Sequence, residues 1–426
     1  MPSKKRTPGP ATPSSSPSPS GFSFADPHAT PDNYTSFSSS DVKADTAVQA
    51  SQVLQPIPAL KKDPPVMSLA DVLPSSALKP YSKFLTFHMA GDTGGVKNAA
   101  NQFLVADKMV EDFSHPDAAA RPAFFYHLGD VVYYFGQDKY YYDQFYDPYR
   151  DYPAPILAIP GNHDAVVYSG EPAASLEAFQ KHFCSPAPTH ADEAQGTART
   201  TLTQPGVYFT LNAPFVRIIG LYSNTAEAGG VIAGPTVGQA QLQFLTSQLQ
   251  QASADRKKGA LQGALLIAVH HPPFTGSAQH NPSPEVLTAL DSACKQTGVH
   301  PDAVFSGHAH LYERYTRYLK IGNAAWQVPY VVAGNGGYPN LAGLKHNPGT
   351  PAPRTPVDSS NGDGKGNRLT LENYFGSTFG FLRLTAAATV LSCEFVGVTN
   401  SEAPGQTLDR FSLDLATHQL TGFRQQ

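Results

Sequence analysis

Five short polar motifs stand at the ends of five apolar, strand-like runs, and their order restricts the fold more than any other feature. Phe84–Ala90 runs into Gly91-Asp92-Thr93-Gly94, Ala123–Leu128 into Gly129-Asp130-Val131-Val132-Tyr133, and Ile156–Ile159 into Pro160-Gly161-Asn162-His163-Asp164. Ala264–Val269 leads to His270-His271-Pro272, and Ala303–Phe305 to Gly307-His308-Ala309-His310. Between them, residues 98–113 are apolar at helical spacing (Phe103, Leu104, Met109, Val110, Phe113), and 239–252 and 284–294 also read as helices. The rhythm of strand, loop and helix predicts an α/β core with its polar residues at the carboxyl ends of the strands. A hairpin is expected at 207–211 and 216–221, a strand at 328–333, and strand-like alternation over 380–415 is expected to complete a second sheet.

The motifs assemble a donor set. Asp92 and Asp130 offer carboxylates, Tyr133 a phenol, Asn162 an amide oxygen, and His270, His308 and His310 imidazoles. Hard cations take carboxylate oxygens and first-row transition metals also accept imidazole. Seven such donors serve two metal ions that share one carboxylate, and a two-metal site of this kind suits hydrolysis of phosphate esters. A lone Gly-Asp or Gly-Asn-His is common; the five in order at strand ends are not.

The rest of the chain limits the alternatives. A formal charge of -4 and a pI near 6.4 argue against a nucleic-acid partner or an anionic membrane surface. Lys4-Lys5-Arg6 is followed by Ser, Pro and Thr rather than an apolar stretch, and no long apolar run occurs. A cytoplasmic protein without a membrane span is therefore expected. Cys184, Cys294 and Cys393 are widely spaced, with no CxxC, and read as three inert thiols. Residues 1–79, rich in Pro, Ser and Thr, are expected to form a disordered tail before a catalytic domain over 80–426, and residues 343–368 a long surface loop.

Set against known families, the motifs resemble the calcineurin-like metallophosphoesterases. There the first motif is usually Asp-x-His, whose histidine binds the first metal; here that position is Gly94, and Tyr133 stands three residues after Asp130. This exchange resembles the purple acid phosphatase branch, with its pattern GDxG, GDxxY, GNH[D/E], VxxH and GHxH. Only Ile267 for valine departs from it. Gly307 to Arg314 (GHAHLYER) and Gly334-Asn335-Gly336-Gly337 are also similar to that branch.

The resemblance implies a four-layer αββα sandwich, two mixed sheets flanked by helices. It implies Fe(III) held by Asp92, Tyr133 and His310, and Fe(II), Zn(II) or Mn(II) held by Asn162, His270 and His308, with Asp130 bridging. His163 and His271 would face a small phosphorylated substrate, and Asp164 would orient His163 as the acid for the leaving group. The expected reaction is phosphomonoester hydrolysis without a phosphoenzyme. A phosphodiesterase on the same site, and a binding protein on an inactive core, remain the alternatives. The tyrosines from Tyr134 to Tyr152 read as packing residues on a helix. Arg314 reads as the partner of a carboxylate rather than of phosphate. His88, His115, His127, His182, His280 and His300 fall in no motif, and Asp358–Asn367 reads as a flexible loop rather than a calcium site.

Overall fold

The computed structural model describes residues 55–95, 99–167, 174–223, 229–346 and 348–423. Its strands form two sheets. The seven-stranded sheet runs in the order Gln419–Phe423, Gln406–Asp414, Val390–Val398, Phe379–Ala387, Phe84–Ala90, Pro122–His127, Ile156–Ala158. The nine-stranded sheet runs Val66–Ser68, Phe209–Ala213, Val216–Leu221, Ala264–Val269, Ala303–Ser306, Ala324–Ala333, Tyr312–Ile321, Leu369–Phe375, Val357–Asp358. Each mixes parallel and antiparallel neighbours. Phe84–Ala90, for example, pairs parallel with Pro122–His127 and antiparallel with Phe379–Ala387.

Period-two alternation explains how these strands bury both faces. Leu85, Phe87 and Met89 enter the same core as Phe124, Tyr126, Leu266, Ala268, Phe305 and Leu384, which is the layer between the sheets. The intervening Phe125, Leu265, Ile267 and Val269 join an outer core with Val105, Met109, Leu245, Leu249, Val286 and Leu290, residues of the flanking helices. Those helices span Ala100–Glu111, Ala240–Lys257 and Pro284–Thr297. The last begins with Ser283, whose hydroxyl accepts the Val286 N–H, and ends at Gly298 with φ 68°, a start and stop of the usual kind. The expected sandwich of two mixed sheets between helices is the observed one.

Several expectations change. Residues 66–78, assigned to the tail, belong to the fold: Val66–Ser68 pairs with Thr210–Asn212, and Met67 and Leu69 are 3% and 1% exposed. A three-residue edge strand is too short to show periodicity. Residues 1–54, the body of that tail, lie outside the described residues, as does Asn98 at the start of the expected helix. The tyrosine-rich segment is not one helix but a 3-10 turn at Asp138–Tyr140 and a π-helical turn at Tyr142–Tyr146. The loop at 343–368 contains the short strand Val357–Asp358, and buried Asp363 accepts from Lys365 N–H, Asn367 N–H and Arg317 Nε. Those donors occupy the Asp363 carboxylate. Arg314 forms a bidentate pair with buried Asp409 (2.6 and 3.0 Å), as expected of a structural arginine. All three cysteines are free and buried.

Candidate metal centre

The two sheets contribute their carboxyl ends to one place. Asp92, Asp130 and Asn162 follow strands of the seven-stranded sheet; His270, His308 and His310 follow strands of the other. Backbone contacts join the two edges: Gly91 N–H donates to Ala333 O at 2.9 Å, and His308 N–H to Asp92 Oδ2 at 2.7 Å. Asp92, Asp130 and His308 all take left-handed backbone conformations, with φ of 56°, 54° and 66°. Each costs about 1 kcal/mol or more for a side chain with a Cβ, so the surrounding fold enforces them. Such strain at three donors in one cluster is typical of functional sites.

The donors fall into two adjacent groups that share Asp130. In the first, Tyr133 Oη lies 3.0 Å from Asp92 Oδ1, 3.0 Å from Asp130 Oδ2 and 3.3 Å from His310 Nε2. In the second, Asn162 Oδ1 lies 3.0 Å from both His270 Nε2 and His308 Nδ1, and His270 Nε2 is 3.3 Å from Asp130 Oδ2. These spacings are close to those between neighbouring ligands of one cation with bonds of about 2.0–2.2 Å. The outer atoms are tied down as metal-binding histidines require. His270 Nδ1 meets Leu128 O at 2.8 Å, and His310 Nδ1 meets Asn340 O at 3.1 Å, which directs each Nε2 into the cluster.

The charge balance also calls for cations. Asp92 and Asp130 are 0% and 1% exposed, and among the described residues no lysine or arginine pairs with either. Burial, with Asp130 beside it, pushes the Asp92 carboxyl well above the usual range. Burial and the two carboxylates likewise push the Tyr133 phenol up. Burial works against the Asp130 anion too, but the His270 and His163 imidazoles hold its carboxyl low. Two carboxylates, a phenol and an amide oxygen facing three imidazoles form a donor set that fits two metal ions.

Gly94 explains how the phenol reaches this place. A Cβ there would stand 2.8 Å from Tyr133 Cδ2 and closer still to Gln144 Oε1. Gln144 clamps the Tyr133 backbone, accepting its N–H at 2.8 Å and donating to its carbonyl at 2.6 Å. The Tyr133 ring lies against Tyr338 (centroids 4.1 Å apart) and His163 (4.3 Å). The glycine at this first-motif position therefore makes the room that the tyrosine and its clamp occupy.

The remaining site residues divide. His163 donates its N–H to Asp130 Oδ1 at 2.9 Å, and its Nδ1 meets Tyr134 O at 2.9 Å. The orienting role expected of Asp164 therefore falls to the Tyr134 carbonyl. The Asp164 carboxylate instead accepts the N–H groups of Val131, Val132 and Gly161 and fixes the turns that carry Asp130 and Asn162. His271 donates its N–H to Ser223 Oγ at 3.2 Å, and Ser223 Oγ meets its Nδ1 at 2.6 Å. The other ring nitrogen, Nε2, is buried and has no hydrogen-bond partner among the described residues. His280 was missed: its ring centroid is 4.4 Å from that of His308 and 4.8 Å from that of His310. It comes from the irregular segment before Pro284, where no motif marks it. Ser223 and Gln144 also lie outside every motif.

The sequence pattern described as calcineurin-like phosphoesterase matches residues 85–312, more than half of the chain and all five motifs. No curated protein matches the chain in sequence. One similar solved structure, titled "GAP50 the anchor in the inner membrane complex of Plasmodium", is 13% identical, with 78% of this chain and 89% of that chain covered and a TM-score of 0.52. PhoD is 12% identical (81% and 72% covered, TM-score 0.48), and a dimetal phosphatase from Danio rerio 12% identical (77% and 99%, TM-score 0.42). At such identities the likeness is one of fold. No helix among the described residues is long and apolar enough to cross a membrane. By its sequence pattern, its two-sheet fold and its donor set, the chain belongs to the calcineurin-like phosphoesterase family.

Proposed function

We propose that this protein is a binuclear-metal phosphoesterase of the tyrosine-ligated, purple acid phosphatase-like kind, acting on small phosphomonoesters. The observation that carries the reading is the convergence of seven donors from both sheets into two groups sharing Asp130, with Tyr133 where Gly94 leaves room. The fold alone does not separate a hydrolase from the anchor protein that shares it; the complete donor set supports the hydrolase.

Asp92, Tyr133 and His310 would hold the first ion, Asn162, His270 and His308 the second, and Asp130 both. A phenolate beside two carboxylates is a hard, anionic set that favours Fe(III) in the first group. Imidazole with amide oxygen suits Fe(II), Zn(II) or Mn(II) in the second. When bound, such ions activate water at mild pH and offset the charge of a phosphoryl group.

The protein's own groups then bind and position the substrate. In the tautomer in which the Ser223 hydroxyl donates to Nδ1, His271 would present a buried Nε2–H suited to a phosphoryl oxygen. His163, anchored at Nδ1 by Tyr134 O, offers Nε2 in its protonated form as the acid for the departing alkoxide. His280, packed on His308 and His310, adds a second imidazole at the mouth of the same cluster. Asp164 keeps the two turns in register.

Hydrolysis of p-nitrophenyl phosphate and its bis-ester by the purified protein tests this reading. Faster turnover of the monoester, abolished in Asp130→Asn with the fold retained, is the expected result. Preference for the diester would favour the phosphodiesterase, and undiminished activity in D130N would remove the site from the reaction.

A further inference from the structure

A second cluster of metal-type donors lies apart from the strand-end residues. Asp138, His182 and Glu193 come from three separate pieces of chain: the turn Asp138–Tyr140, the helix Glu177–Phe183 and the turn Asp192–Ala194. His182 Nε2 is 3.1 Å from Asp138 Oδ1 and 4.0 Å from Glu193 Oε2, and all three donor atoms lie within 4.8 Å of one another.

Lys181 sorts the carboxylate oxygens. Its Nζ donates to Asp138 Oδ2 at 2.8 Å and to Glu193 Oε1 at 2.7 Å. The other oxygen of each carboxylate is left turned toward His182, whose side chain is fully buried. Glu193 Oε2 is shielded from solvent and has no hydrogen-bond partner among the described residues. A buried carboxylate oxygen without a donor is costly. At 4.0 Å it is too far from His182 Nε2 for a hydrogen bond, but near the roughly 3.3–3.6 Å between two ligands of a tetrahedral cation. Behind the imidazole, Tyr146 Oη meets Nδ1 at 2.8 Å and Tyr141 stacks on the ring at 3.9 Å. Ligating histidines are commonly held in this way, by an oxygen hydrogen-bonded to the nitrogen that faces away from the metal.

We propose that Asp138, His182 and Glu193 form a third cation site, a structural one for a divalent ion of the Zn(II) type. One imidazole and two carboxylates suit that ion, and Lys181 offsets part of the anionic charge. Asp138 is 41% exposed, which gives the ion a way in and leaves a place for water. The ion would pin together the segment that contains Gln144, the residue clamping Tyr133. It would thus support the metal centre from outside without touching substrate.

The test is the zinc content of the full chain, loaded with excess zinc chloride, passed through gel filtration and measured by plasma mass spectrometry. The wild type is expected to retain one more zinc ion per chain than Glu193→Gln or His182→Gln, whatever metals the strand-end centre holds, and zinc should raise the melting temperature less in the variants than in the wild type. Asp138→Asn, at the most exposed of the three positions, repeats the count where folding is least at risk. Equal zinc content in the wild type and these variants would overturn the proposal. The count does not depend on activity, so it stands or falls separately from the phosphoesterase reading.

Discussion

Replacing Gly94 by alanine tests the link between the first motif and Tyr133. The added Cβ would lie 2.8 Å from Tyr133 Cδ2, 3.2 Å from Tyr133 N and closer still to Gln144 Oε1. All three belong to one buried unit, so nothing yields without cost. Overpacking of this kind costs about 1–3 kcal/mol. If Gln144 withdraws, the buried clamp on Tyr133 (2.8 and 2.6 Å) opens, and a buried pair of unmet backbone groups adds about 1–2 kcal/mol. The sum is about 2–5 kcal/mol, or a melting temperature lower by roughly 3–7 °C in a chain of this size. A displacement of Tyr133 Oη by about 1 Å would cost about 100-fold in turnover. Thermal melts and p-nitrophenyl phosphate kinetics on G94A measure both effects. Q144A alone loses the clamp but not the packing; because both changes act on the same contact, G94A and Q144A together should cost less than their sum. Wild-type melting and turnover in G94A would refute the claim that this glycine makes room for the tyrosine.

Other perturbations separate the roles of neighbouring residues. Ser223→Ala removes the hydroxyl that meets His271 Nδ1 and holds the ring, and kcat/KM should fall about 10- to 100-fold while metal content stays unchanged, as steady-state kinetics with metal analysis would show. Arg314→Ala strands buried Asp409 and should cost about 3–5 kcal/mol in urea melts; a selective rise in KM with wild-type stability would instead make Arg314 a phosphate ligand. His88 is buried, and burial holds its imidazole below the usual range despite Asp112 at 2.8 Å. A histidine lowered on folding binds fewer protons than the unfolded chain below pH 6.5, so its contribution is present above that pH and is lost as pH falls toward the folded value. The urea midpoint should therefore drop between pH 7 and pH 5, and drop less in His88→Asn; an identical profile would exclude His88 as a source.

The positions of the candidate donors were legible in the sequence because each motif follows an apolar run, and a strand's carboxyl end is a position that pattern alone can locate. The alternation of Leu85, Phe87 and Met89 likewise revealed a strand with an inter-sheet face. What stayed hidden depends on contacts between distant residues. His280 reaches His308 and His310 through an irregular loop with no periodicity. Ser223 and Gln144 each act through a pair of hydrogen bonds to a distant residue, which leaves no spacing signal. Asp164 sits beside His163 in sequence, yet its carboxylate turns to Val131, Val132 and Gly161, whose backbone donors only the folded turn brings within reach. Met67 and Leu69 were lost in the tail because a three-residue edge strand borrows its order from Phe209–Ala213.

Ligation of a metal by Tyr133, together with Asp92, Asp130 and His310, is what sets the proposed centre apart. The visible spectrum of the purified protein, read with its metal content, is the sharpest test. Iron in the protein and a tyrosinate–Fe(III) absorption band in the visible range that disappears in Tyr133→Phe are expected. A colourless, fully active protein loaded only with zinc or manganese, unchanged by that substitution, would contradict it.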